Sequence, residues 1–202
     1  MSVFRKIFRS NSGSAKNKTD DKEQSTFIET NTLPIEESFT INFHKNGGKF
    51  LYCENNDEVQ VFLDKIIEEN NWDKKKALIL NKHLKEKFKR FKLGTAQKIK
   101  DADFLFTTCE FLIANDGSLL ISSNQIAEKK LVELPENFIV FATTSQFVNT
   151  ISEGLQGIKA QSKTKIPSNI TTIKHFKAND TNDFLSYGSS TKNLYLLLLE
   201  DL

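Results

Sequence analysis

The spacing of apolar positions along this 202-residue chain changes period several times between Leu33 and Leu199, and each change marks an expected element. Ser38-Phe-Thr-Ile-Asn-Phe43 alternates apolar and polar residues in the period of a half-buried strand. Lys45-Asn-Gly-Gly48 then supplies turn residues and Lys49-Phe-Leu-Tyr-Cys53 resumes as a second strand, so an N-terminal β-hairpin is expected. Gly47-Gly48 reads as turn chemistry and not as a phosphate loop, because no Lys-Ser/Thr follows and the next element is a strand.

From Asp57 to about Asn70 the period becomes helical, with Val59, Val61, Phe62, Ile66 and Ile67 on the apolar side and Asn55 or Asn56 placed to cap the start. Ala77-Leu-Ile-Leu80 has the form of a short buried strand. The basic stretch Lys82 to Lys92 follows, with Leu84, Phe88 and Phe91 on one face. In the segment Ala102 to Gly157, the small polar turn Asn115-Asp116-Gly117-Ser118 separates two apolar runs. Glu110 to Ala114 reads as a helical turn or loop, Gly117 to Ser122 as a strand, and Phe138 to Thr143 as a strand entered through Leu134-Pro135. Ser145 is placed to cap a helix running to about Gln161, with Phe147, Val148, Ile151 and Leu155 facing inward. Asn169 to Phe176 reads as extended. The terminal run Leu194 to Leu199 suits a central strand buried on both faces. Strands alternating with amphipathic helices predict a three-layered α/β domain, its mostly parallel sheet flanked by helices.

Composition adds boundaries to this picture. Residues Ser10 to about Thr26 hold no apolar residue beyond Ala15 and cannot offset their chain entropy. A flexible polar tail over 1–32 and one domain over 33–202 are therefore expected. At the very start, Val3, Phe4, Ile7 and Phe8 share a helical face flanked by Arg5, Lys6 and Arg9, an arrangement suited to a membrane surface or a partner groove if it is more than a loose tail. No hydrophobic region follows it, so it does not read as a secretory signal, and no apolar run is long enough to span a membrane. With 28 basic against 26 acidic residues, the net charge of +2 gives no reason to expect nucleic acid. The chain has 17 Phe, and its two cysteines, Cys53 and Cys109, form neither a CxxC unit nor a disulfide framework. A cytoplasmic domain with a phenylalanine-rich core is the expectation, with both thiols as buried small hydrophobes.

The candidate chemistry is sparse. Asn115, Asp116, Gly117 and Ser118 form either an ordinary turn or a ligand nest, in which Gly117 admits a close backbone approach, Ser118 offers a hydroxyl and Asp116 accepts a proton or a hydroxyl hydrogen bond. Gly188, Ser189, Ser190 and Thr191 form either an exposed loop or a backbone cradle for phosphate. The basic stretch around Lys82 to Lys92 is either a solvated helix face or a docking face for an anionic ligand or partner. His44, His83 and His175 are too scattered for a recognisable metal set, and no GxSxG elbow marks a nucleophile. Neither a catalytic residue nor a cofactor can be assigned.

The central segment resembles the lactate-utilisation (LUD) family, whose pattern runs from a threonine-containing approach through Ala-Glu-Thr-Gly-Thr/Ser and an apolar run to Leu-Pro, an apolar strand and a helix. Here Thr107-Thr108, Ile113-Ala-Asn-Asp-Gly-Ser-Leu-Leu-Ile121, Leu134-Pro135, Phe138 to Ala142 and Ser145 to Val148 follow in that order, and Leu194 to Leu199 matches the family's end. The resemblance implies a fold similar to the ribose-phosphate isomerase and CoA-transferase group. It also implies ligand contacts at Thr107 and in the Asn115 to Ser118 motif, with a carboxylate from Glu110 over the same site. Two departures stand out: Asn115-Asp116 replaces Glu-Thr, and the family's two C-terminal proline motifs are replaced by Ile173 to Asp180 and Tyr187 to Lys192. Two isolated cysteines cannot hold the four-cysteine cluster of the lactate system's partner subunits. Two functional expectations follow. The first is an accessory component of organic-acid (lactate) utilisation binding a small or phosphate-bearing ligand at the sheet ends. The second is a non-catalytic module that docks a protein partner or membrane surface through the N-terminal tail and the basic helix.

Overall fold

The computed structural model describes residues 33–89, 93–162, 165–176 and 192–201. The expected tail 1–32, Phe91 and the Gly188 to Thr191 loop lie outside the described residues. The chain opens with α1 (Ile35–Lys45), β1 (Lys49–Cys53), α2 (Asn56–Glu69), β2 (Lys76–Leu78), α3 (Lys82–Lys87), β3 (Gly94–Thr95) and β4 (Phe104–Thr108). It continues with β5 (Phe111–Ile113), β6 (Ser118–Ile121), α4 (Ser123–Ile126), β7 (Asn137–Thr143), β8 (Phe147–Val148), α5 (Ile151–Gln161), β9 (Thr171–Ile173) and β10 (Asn193–Leu199).

Six strands form a wholly parallel sheet in the order β1-β10-β7-β4-β2-β3. β10 lies between β1 and β7, and every residue from Leu194 to Leu199 is buried. Its odd and even positions serve two cores. Leu194, Leu196 and Leu198 meet Phe138, Val140, Phe39 and Phe43 on one face, while Tyr195, Leu197 and Leu199 meet Ile139, Phe141 and the helix residues Val59, Leu63 and Ile66 on the other. A continuous apolar run is what a strand covered on both sides requires. The expected α/β sheet flanked by helices is therefore present. One flank also contains a second, four-stranded sheet in the order β8-β5-β6-β9, and α5 packs on that sheet's far face through Phe111, Ile113, Leu120 and Ile158.

The expected N-terminal hairpin is replaced by α1. Phe39, Ile41 and Phe43 alternate, but Ile35, Phe39 and Phe43 also recur at the four-residue spacing of a helix stripe, and burial selects the second pattern. Phe39 and Phe43 are fully buried while Ile41 is 39% exposed. Glu36 and Glu37 in the first turn and His44 and Lys45 in the last turn suit the helix dipole. The glycines then end the helix: Gly47, at φ 84°, donates to His44 O at 2.9 Å, and Gly48 donates to Phe43 O at 3.0 Å. This is a Schellman stop, and β1 leaves it to pair in parallel with β10.

The central turn also departs from the expected helical turn or loop. Phe111 to Ile113 is a strand, not a helical turn, because the chain folds back across Asn115 to Gly117 and pairs Phe111 with Leu120, Leu112 with Leu119 and Ile113 with Ser118. Gly117 sits at φ 64° directly against α1, where a Cβ would lie 2.3 Å from Asn42 C and Phe43 N. Ser145, expected as a cap, does not cap the following helix. Thr144 to Gln146 form a 3-10 turn, Phe147 and Val148 pair with β5, and α5 is capped by Thr150 Oγ1 accepting from Glu153 N at 3.2 Å. As a result Ile151 and Leu155 are 38% and 43% exposed, while Gly154 and Ile158 face the second sheet.

Two stability measurements follow. Gly117→Ala places a methyl inside α1's backbone at a positive φ, so equilibrium urea unfolding should show a loss of about 3 kcal/mol or more; a loss below about 1 kcal/mol would mean the turn does not bear on α1. Ile158→Ala should cost about 2–4 kcal/mol while Leu155→Ala stays within about 0.5 kcal/mol, and the reverse ranking would restore the Ser145-capped helix.

Candidate functional site

The residues singled out in the sequence separate into two places. Asn115 to Ser118 lie at the turn end of the β5–β6 hairpin, and their polar groups are engaged by α1. Asn42 Nδ2 donates to Ala114 O at 2.9 Å and Asn115 O at 3.2 Å, and Asn46 Nδ2 donates to Asp116 O at 2.7 Å and Gly117 O at 3.2 Å. Asp116 Oδ1 accepts from Ser118 N at 3.1 Å and Ser118 Oγ at 2.6 Å, which closes the turn on itself, and Lys174 Nζ lies 3.8 Å from Asp116 Oδ2. Ser118 is fully buried.

Glu110 lies at the other end of the same hairpin, three residues of β5 before Ile113 and so about 10 Å from the turn. The expectation that its carboxylate covers the Asp116 turn is therefore not met, because the antiparallel register carries the two groups to opposite ends. Glu110 instead joins Thr107 at the carboxyl end of β4. Its backbone N–H donates to Leu120 O at 2.8 Å, and its Oε1 accepts from Ser122 Oγ at 2.5 Å and Asn124 Nδ2 at 2.9 Å. Thr107, 1% exposed, donates from Oγ1 to Gln125 O at 3.4 Å. Ser122 and Gln125 complete a capping box at the start of α4, with Ser122 N donating to Gln125 Oε1 at 2.8 Å.

A second carboxylate stands at the ends of β7 and β10. Asp201 accepts from Thr144 Oγ1 at 2.9 Å, Ser145 N at 2.9 Å and Ser145 Oγ at 2.7 Å. Thr143 Oγ1 is 2.9 Å from Ser145 Oγ. Gln146 links the two carboxylate clusters, its Nε2 donating to Cys109 O at 2.7 Å and Glu110 O at 3.1 Å while its Oε1 accepts from Thr143 N at 2.8 Å. Ser122, Asn124, Gln146 and Asp201 were not singled out in the sequence. Their signal was position alone, since each lies just after a parallel strand or at the start of a short helix.

The surrounding groups bear on what this edge can do. Burial pushes the Cys53 thiol up to about 12, with the Glu58 charge adding to it, and burial pushes Cys109 higher still, so neither is a nucleophile near neutral pH. On the opposite side of the sheet edge, Lys87 Nζ lies 4.2 Å from the centre of the Phe141 ring, and burial lowers its pKa. Lys87 helps line a cleft of about 270 Å³ with Asn56, Val59, Gln60 and Phe88. Among the described residues no group of three or more His, Cys, Asp and Glu could hold a metal ion, and no helix is long and apolar enough to cross a membrane.

Burial raises the Asp201 pKa, but the hydrogen bonds from Ser145, Thr143 and Thr144 outweigh it and hold the carboxyl below its ordinary value. A carboxyl depressed in the fold contributes stability above its unfolded pKa of about 3.9 and loses that contribution as the pH falls through the folded value. Asp201→Asn should therefore lower Tm at pH 7, with the gap to the parent narrowing below about pH 4; a gap independent of pH in thermal melts would contradict the hydrogen-bonded carboxylate.

A family model described as the LUD domain matches residues 36–199. Among solved structures, a DUF162 family protein from Deinococcus radiodurans superposes with a TM-score of 0.58 at 13% identity, covering 83% of this chain and 96% of that one. At that identity the likeness concerns the fold. No curated protein matches. Because the family match runs from the first turn of α1 to the last residue of β10, the chain belongs to the LUD-domain family.

Proposed function

We propose that this LUD-domain chain is an accessory component of organic-acid (lactate) utilisation that binds a small or phosphate-bearing ligand at the carboxyl edge of the six-stranded sheet. The observation that carries this reading is the continuous set of carboxylates and hydroxyls closing β4, β7 and β10. Glu110 takes hydrogen bonds from Ser122 and Asn124, and Asp201 takes them from Thr144 and Ser145. Carboxyl ends of parallel strands are where open α/β sheets receive ligands, and carboxylates there accept hydrogen bonds from a substrate hydroxyl. A 2-hydroxy acid carries such a hydroxyl. Thr107 and Glu110 are the positions of the sequence pattern that fit this role, whereas Asn115 to Ser118 act through the hairpin by closing the turn that ends β5 and begins β6.

Thermal-shift screening of the full chain against 2-hydroxy acids, sugar phosphates, nucleotides and CoA esters tests the reading. The expected result is stabilisation of about 2 °C or more by one class, a shift lost in Glu110→Gln measured against that variant's own baseline. No ligand shift in any class, together with capture of a protein partner or anionic vesicles that depends on residues 1–9 or on Lys82 and Lys85, would favour the docking function instead.

A further inference from the structure

Beside this edge, on the outer side of β4, the chain leaves an open cleft of about 470 Å³ between β2, the 3-10 turn Ile99–Asp101 and the end of α4. Small-molecule sites commonly enclose ~300–1,000 Å³. The cleft lies where strand connections diverge. From β2 the chain runs outward to β3 at the sheet edge, whereas from β4 it runs through the second sheet and back inward to β7. A crevice opens outside the strand ends at such a switch point. The cleft is also joined to the strand-end cluster through α4: Gln125, whose carbonyl accepts from Thr107, is two residues before Ala127 in the cleft wall.

The lining has two chemistries. Leu78, Leu80 and Ile99 supply an apolar floor, and Leu80 is left 39% exposed. Lys98, Lys100 and Lys129 supply the rim, and among the described residues no carboxylate lines the cleft. None of the three rim lysines has an acid within 4.0 Å among the described residues. The nearby acids are engaged or set aside. Glu128 accepts from Ser168 Oγ at 2.5 Å, Asp103 accepts from Lys76 N at 2.8 Å and pairs with Lys75, and Asp101 does not line the cleft. In a chain of net charge +2, three unpaired cations around an apolar floor are a local excess.

We propose that this cleft binds an amphipathic organic anion, with a carboxylate or phosphate head among Lys98, Lys100 and Lys129 and an apolar tail over Leu78, Leu80 and Ile99. The assignment goes beyond the strand-end site proposed above and gives the crevice beside it a ligand class of its own. A bare phosphate leaves the leucines wet, and a neutral alkyl chain leaves the lysines unpaired, so both parts are needed for full affinity.

Calorimetric titration of the full chain at low salt, with octanoate and octyl phosphate below their micellar concentrations and with inorganic phosphate and octanol as controls, tests it. Saturable one-to-one binding of at least one amphiphile is expected, with both controls weaker by about tenfold or more. The double substitution Lys98→Glu/Lys129→Glu and, separately, Leu80→Ser should each weaken the amphiphile by about tenfold, and added salt should act on the first effect. Preference between octanoate and octyl phosphate identifies the head group. The proposal is overturned if neither amphiphile saturates, if the charge reversal leaves affinity unchanged, or if inorganic phosphate binds as well as octyl phosphate. Stabilisation by a hydroxy acid through Glu110 with no amphiphile binding removes the cleft alone. Amphiphile binding through the lysines that is indifferent to Glu110→Gln, with no strand-end ligand found, removes the strand-end reading alone.

Discussion

The contact between Gly117 and the backbone of α1 sets the position of everything around it. With no side chain and a left-handed φ, Gly117 lets the hairpin turn rest on Asn42 and Phe43 at a distance no other residue tolerates. Asn42 and Asn46 then satisfy four carbonyls of the turn, groups that would otherwise be costly to shield from water. Once the turn is anchored, β5 and β6 must lie across one face of the parallel sheet, with Leu112, Leu119 and Ile121 buried against Leu105, Phe138 and Val140.

This placement has a chemical consequence. Anchoring the turn at one end of the hairpin aims the other end at the carboxyl edge of β4, where Glu110 meets Ser122 and Asn124. Gln146 then ties that end to the neighbouring strand through Cys109 O and Glu110 O. The polar motif and the polar edge are thus related as support and candidate site. The two carboxylates differ in setting: Asp201 is held ionised by its hydroxyl and backbone donors, while Glu110 is held in place by side chains that also begin α4.

Long apolar runs were legible from the sequence because only one structure buries them. Leu194 to Leu199 and Phe138 to Thr143 are the central strands their composition requires, and Asn55 caps α2 through a bond from Glu58 N at 2.9 Å. Short segments were not legible, because their pattern fits two periods. Ser38 to Phe43 satisfies both strand alternation and a helix stripe, and only the ring contacts of Phe39 and Phe43 with Phe147 and Phe176 decide between them. Phe111 to Ile113 is too short to carry a period, and its state depends on β6 returning beside it. Of the candidate site, Thr107 and Glu110 were legible, where the family resemblance points. It was not legible at Ser122, Gln146 or Asp201, whose convergence is a product of strand order.

The central claim is that the Asn115 to Ser118 turn supports the fold while ligand is met at the opposite end of the hairpin. Backbone amide chemical-shift mapping of the isotope-labelled full chain during titration with lactate or another 2-hydroxy acid addresses it directly. The account predicts saturable shifts at Thr107 to Glu110, Ser122 to Gln125 and Thr143 to Gln146, with Asn115 to Ser118 unmoved. Shifts concentrated at Asn115 to Ser118, with the strand ends silent, would contradict it.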